Sequence, residues 1–198
     1  MSNNFDKAVR AKLGVYEDQL DPIQMSKITT LQIEEATQGD IDDLVKTPSV
    51  IKLSLVCKGD VSLAPLQELA LLDSLRISHA NLENVSPLEK LTDLRHLDVS
   101  DSQIADFSHL SYLRELFSLR LKNCDLDDLS PLEGMGNLSE LNLNENNIEQ
   151  LNTISSLNEL KSLDIEGNEI SNLDPLSFIN GVTWIHAARN YIQDLGPL

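Results

Sequence analysis

A branched apolar residue returns at one fixed interval along this chain: Leu31, Leu53, Leu75, Leu97, Leu119, Leu141, Leu163 and Ile185 stand 22 residues apart without a slip. A period of that length means one supersecondary turn per unit, each stacked on the one before. Two residues on, Ile33, Leu55, Ile77, Val99, Leu121, Leu143, Ile165 and Ala187 form a second column. Apolar positions at period two mark a half-buried strand, so every unit is predicted to open with one. A strand of about four residues leaves the dozen or more that a crossover between parallel neighbours needs. The spacing therefore predicts successive strands stacked in parallel.

The remaining apolar columns belong to the return path. Leu82, Ile104, Leu126, Ile148, Ile170 and Ile192 form one; Val85, Phe107, Leu129, Leu151, Leu173 and Leu195 a second; Leu88, Leu110, Leu132, Ile154, Leu176 and Leu198 a third. All are expected to point into one continuous core. Pro65, Pro87, Pro131, Pro175 and Pro197 recur at one offset, where a fixed φ and a missing N–H suit the first position of a short helical turn. Return segments are thus expected to be 3-10 or irregular. Aromatic residues make up only 4% of the chain, which suits a thin, layered core without large anchors. Burying one repeat is worth on the order of 10–20 kcal/mol gross, against about 1–2 kcal/mol for each backbone residue fixed. A single repeat cannot fold alone, whereas an array can.

Between strand and return, Asn146, Asn168 and Asn190 share an inward offset that Ala80, Ser102 and Cys124 occupy earlier. A buried amide is tolerated only where it satisfies backbone groups, which stacked turns supply, so these asparagines read as structural. The first two repeats are less regular: Gln38 and Lys58 stand at positions that are apolar or Asn-like elsewhere, and Asp60-Val61 suggests a one-residue shift.

The segments LRHLDVSDSQIADFSHLSYL and LNLNENNIEQLNTISSL resemble bacterial internalin-type leucine-rich repeats, and the resemblance extends over residues 29–198. It implies an α/β fold: a right-handed leucine-rich-repeat solenoid of about eight repeats, with a concave parallel β-sheet and short convex segments. The stretch FDKAVRAKLGVYEDQLDPIQMSKITTL is similar to the helical cap that this family places before its first strand, giving a cap at 1–28 and a solenoid at 29–198. The residues themselves agree: Phe5, Val9 and Leu13 lie at helical spacing, Asn4 is a candidate N-cap, Gly14 a candidate stop, and Asp21-Pro22 a second helix start. The family's surface-adhesion role is not expected to carry over, since the chain shows neither a signal segment nor a following domain. A cytoplasmic protein is expected, a secreted or surface virulence or adhesion protein being the alternative. Only Cys57 and Cys124 are present, too few for a disulfide framework and expected to lie three strands apart.

A net charge of -17 repels polyanions and argues against nucleic-acid or anionic-membrane binding. No stretch has the roughly 20 apolar residues that span a bilayer. Function is expected on the concave face, where side chains alternate with the inward columns. Arg76, His96, Arg120 and Lys122 give that face a basic middle; Glu140, Asp164 and Glu166 follow, and Trp184 and His186 mark the last strand. These residues are the candidate site for a protein or peptide partner. The competing readings are that Trp184 covers the open apolar end and that Asp98 and Asp101 neutralise the basic middle. His96, Asp98 and Ser74 or Ser118 could group as in nucleophilic catalysis, but an open sheet face offers no oxyanion loop, so no enzyme is expected. Cys57, His79 and Asp101 fall in one column, but a flat column does not converge on a tetrahedral metal, and neither metal nor cofactor is expected. The uncapped end at Ile192, Leu195 and Leu198 is a candidate for self-association.

Overall fold

The computed structural model describes residues 3–16 and 20–198. Its strands form one parallel sheet: β1 (Thr30–Ala36), β2 (Lys52–Asp60), β3 (Ser74–Leu82), β4 (His96–Ser100), β5 (Gln103–Ile104), β6 (Ser118–Arg120), β7 (Glu140–Asn142), β8 (Ser162–Asp164) and β9 (Trp184–His186). They lie side by side in the order β1-β2-β3-β4-β6-β7-β8-β9, with β5 pairing separately on β3. The register follows the period at the start of every strand, Leu31 facing Leu53, Leu97 facing Leu119 and Leu163 facing Ile185. The two strand columns, up to half-buried Ile185 and Ala187 at the last turn, and nearly all of the return columns are buried as one cluster. Short 3-10 helices carry the chain back, with a proline in the first turn at Ala64–Glu68, Ser86–Lys90, Ser130–Leu132 and Asp174–Phe178. The turns at Ser108–Tyr112 and Asn152–Ser156 form without one, so proline favours this geometry but is not required for it.

The asparagine column does what its burial demands. Asn146 Nδ2 donates to the carbonyls of Leu121, Leu143 and Asn144, while its Oδ1 accepts from the N–H groups of Cys124 and Leu126. Asn168 and Asn190 repeat the pattern one and two turns on. The residue before this column has a positive φ in turn after turn: Glu35, His79, Asp101, Asn123, Glu145, Gly167 and Arg189. That left-handed residue is the corner at which each strand swings into its return.

Ahead of the sheet, α1 (Asn4–Leu13) packs on β1 and buries Phe5 and Val9. Its N-cap is Asn3 rather than Asn4: Asn3 Oδ1 accepts from the Asp6 N–H, while Asn4 reaches the Glu35 carbonyl. Gly14 closes the helix in the left-handed conformation, and α2 (Pro22–Met25) starts after Asp21, whose side chain accepts from Ile23 N–H. Glu17, Asp18 and Gln19, within the expected cap, lie outside the described residues. The first return departs from expectation by containing a true helical turn, α3 (Gln38–Asp42). Its Asp40 accepts from the Thr37 N–H, the Thr37 hydroxyl and the Phe5 N–H, tying α1 to the first repeat. Burial acts to raise the Asp40 pKa, and hydrogen bonds from the Thr37 hydroxyl and the Phe5, Thr37 and Asn4 N–H groups outweigh it, holding the carboxyl below its ordinary range.

Two expectations need correction. The one-residue shift lies within the strands, between Ile33 and Ala36 in β1 and between Val56 and Gly59 in β2. Cys57 continues the alternation of Leu53 and Leu55 into the core, opposite Ala36, whereas His79 and Asp101 stand at left-handed corners and are exposed, so no metal-ligating column forms. Second, Leu195 and Leu198 do not enter the core: they are 65% and 61% exposed, since no described residue stacks beyond them.

Candidate protein-binding face

The exposed face of the sheet is built from residues that the alternation of each strand turns away from the core. Its first column runs through the pairs Lys52–Ser74, His96–Ser118, Glu140–Ser162 and Ser162–Trp184, and its second through Arg76–Asp98, Asp98–Arg120, Asn142–Asp164 and Asp164–His186. The third column holds only as far as Ser100, because β6 to β9 are three residues long. Lys122 and Glu166 therefore sit just beyond their strands, half-buried, and Asn144 turns inward, where its Oδ1 accepts from the Glu166 N–H.

Over β1 to β6 the face forms a hollow of about 590 Å³, lined by Ser54, Ser74 and Ser118 together with Lys52, Arg76, His96 and Arg120. Asp98 stands between two arginines in register and binds one of them, Arg76 Nε lying 3.0 Å from its Oδ2, while the Ser100 hydroxyl donates to the other oxygen. The expectation that Asp98 offsets the basic middle is thus met at Arg76. Asp101 instead accepts from the Asn123 side chain, at 2.9 Å. His96 stands edge-on to Phe117, ring centroids 5.9 Å apart. Among the described residues no hydrogen bond joins His96 to Asp98, Ser74 or Ser118, so the triad-like grouping does not assemble.

The far end of the face has different chemistry. His186 Nδ1 lies 3.1 Å from Asp164 and 3.8 Å from Glu166, and its ring tilts against Trp184 at 5.9 Å. Asn142 donates to the other oxygen of Asp164. Glu140 is exposed, and only Ser162 separates it from Trp184 in the register. Trp184 also borders a hollow with Leu176, Ile179, Val182 and Leu198, yet remains 50% exposed, so it covers the apolar end only in part. Glu145, at a turn rather than on the face, pairs with Arg189 at 2.7 Å. Sequence reasoning missed Phe117, which belongs to the rim just before the strands, where the periodic pattern carries no information.

A single parallel sheet with one strand per turn, short returns and a buried asparagine column is a leucine-rich-repeat solenoid. In its repeat length and its solved likenesses it resembles internalin-type solenoids. Similar structures include an internalin (inlF) of Listeria monocytogenes, at TM-score 0.85 and 27% identity over 98% of this chain and 58% of that one. Internalin C2 of the same species matches at TM-score 0.65 and 21% identity, over 98% and 87% of the two chains. A leucine-rich-repeat protein of Leptospira interrogans matches at 0.70 and 19%, over 80% and 41%; these last two share the fold. The chain spans little more than half the length of the inlF structure. No family model and no curated protein matches it. Among the described residues no helix is long and apolar enough to cross a membrane.

Proposed function

We propose that this chain is a non-enzymatic protein-interaction module that holds a protein or peptide partner on the exposed face of its sheet, with residues 1–28 acting as the cap of the solenoid at 29–198. The observation that carries the reading is the face itself: a row of eight strands, about 38 Å long at the usual strand spacing. That length accommodates an interface of standard size, about 1,600 Å² in total. Its residues are polar and charged with one large aromatic at the end, the mixture of rim charges and anchors that recognition surfaces use. The reading places Arg76, His96, Arg120 and Lys122 in one contact patch and Glu140, Asp164, Glu166, Trp184 and His186 in the other.

The test is a pull-down from lysate of the source cells, comparing the native chain with a triple variant, Arg76→Glu, Arg120→Glu and Lys122→Glu, after equal melting has been established. A partner held by the native chain and lost by the variant supports the face; a partner held equally by both moves the site elsewhere. We place the protein in the cytoplasm, where two buried free thiols are at home, a placement that cell fractionation checks. A second reading, part of a secreted or surface adhesion protein, is favoured by the likeness to a Listeria internalin of which this chain covers 58%. The complete open reading frame distinguishes the two. Self-association through exposed Leu195 and Leu198 would show as a mass that falls on dilution.

A further inference from the structure

We infer that the exposed sheet face selects a partner segment of divided charge, with acidic residues seated over β2 to β6 and basic residues over β7 to β9. This rests on the reading of that face as the binding surface. In a chain of net charge -17, the first part of the face reverses the overall sign: Lys52, Arg76, Arg120 and Lys122 stand against Glu34 and Asp98, a net of +2. From β7 onward, Glu140, Asp164 and Glu166 meet no lysine or arginine in the same columns.

The internal pairings leave this division standing. Asp98 is committed to Arg76 and Ser100, while among the described residues Lys52, Arg120 and Lys122 have no ion-pair partner. At the other end His186 contacts Asp164 and Glu166, and Glu140 has no ion-pair partner among the described residues. The centres of the two patches lie about three strand spacings apart, on the order of 14 Å. At physiological ionic strength the screening length is about 8 Å, so the patches do not cancel and a bound segment feels each one separately. Trp184, beside the acidic patch, gives a cationic side chain an aromatic surface as well as carboxylates. Small Ser162, between Glu140 and Trp184 in the register, leaves room for that side chain to lie flat.

The experiment uses the full chain and three end-capped synthetic octapeptides of equal composition: four glutamates followed by four lysines, the reverse order, and strict alternation. In extended form, blocks of four put the two charge centres about 13 Å apart, matching the face. Affinity is measured at low salt by titration. At least one blocked peptide is expected to bind about tenfold more tightly than the alternating one, and Arg120→Glu with Lys122→Glu, or Glu140→Lys alone, is expected to abolish that preference. Trp184 is the single tryptophan, so a dansyl group on the lysine end is expected to take up its emission more strongly than one on the glutamate end. Equal affinity for blocked and alternating peptides, no binding at low salt, or stronger transfer to a dansyl group on the glutamate end overturns the inference. A cellular partner lost by the triple variant, together with peptides bound equally, would keep the face as a binding surface and discard its division.

Discussion

Asn146 shows how one side chain holds two successive turns together. Its amide satisfies three carbonyls and two N–H groups within the buried column; on truncation the Leu121 carbonyl and the Cys124 and Leu126 N–H groups lose it, while the Leu143 and Asn144 carbonyls keep the Asn168 side chain and the Asn123 N–H. Asn146→Ala is expected to cost about 2–4 kcal/mol in urea unfolding, and Asn190→Ala clearly less, because Asn190 lies at the partly exposed end. The cysteines supply a second expectation. Burial pushes both thiols up to about 11, and at Cys124 the carboxylates of Asp101, Asp98 and Asp125 add to it against a hydrogen bond from Ser102. With the folded pKa above the unfolded one, near 9, the unfolded chain releases its proton first as the pH rises. Stability is therefore unaffected by the thiols below about pH 9 and falls between about pH 9 and 11, by about 3 kcal/mol for each thiol. Calorimetry across that window should show a shallower fall for the double variant Cys57→Ala, Cys124→Ala. An equal slope would mean the thiols ionise freely in the folded chain.

At the scale of elements, the strands and their register were legible because a strict period leaves no freedom: once Leu53 and Leu75 are aligned, so is every pair between. The exceptions are physical. Cys57 follows Leu53 and Leu55 inward by plain alternation, because the left-handed corner that exposes His79 and Asp101 falls two residues later in β2, at Gly59, and the 22-residue count does not show that delay. The α3 turn depends on Thr37 and Asp40 forming a local clasp with Phe5, a contact between segments that a one-dimensional pattern does not contain. The corner of each turn was also hidden, since residues as unlike as Glu35, His79 and Asp101 share its positive φ. A side chain there costs roughly 1–2 kcal/mol in conformational strain, partly offset in the comparison by glycine's greater freedom when unfolded. His79→Gly is therefore expected to stabilise by about 0.5–1 kcal/mol, read as a higher urea midpoint. A lower midpoint would show that the His79 side chain contributes more than its strain.

For the whole molecule, the solenoid was readable from one column of leucines, while the candidate face was readable only as a roster. The sequence names Arg76, Arg120, Asp164 and His186 as neighbours but not which are already engaged. Only the structure shows Arg76 on Asp98 and His186 on Asp164. Surface identity escapes the period because outward positions are free of the packing that fixes the inward ones.

The unbroken register from Leu97 to Ile185 also bears on how such a chain can change over generations. Gain or loss of one whole repeat leaves every surviving pair aligned, whereas an insertion of any other length throws the columns out of phase. Length is thus inherited in whole turns, and each turn moves the basic and acidic patches apart or together by one strand spacing of about 4.8 Å. The face is a ruler whose graduations duplication can add or remove without recutting the scale.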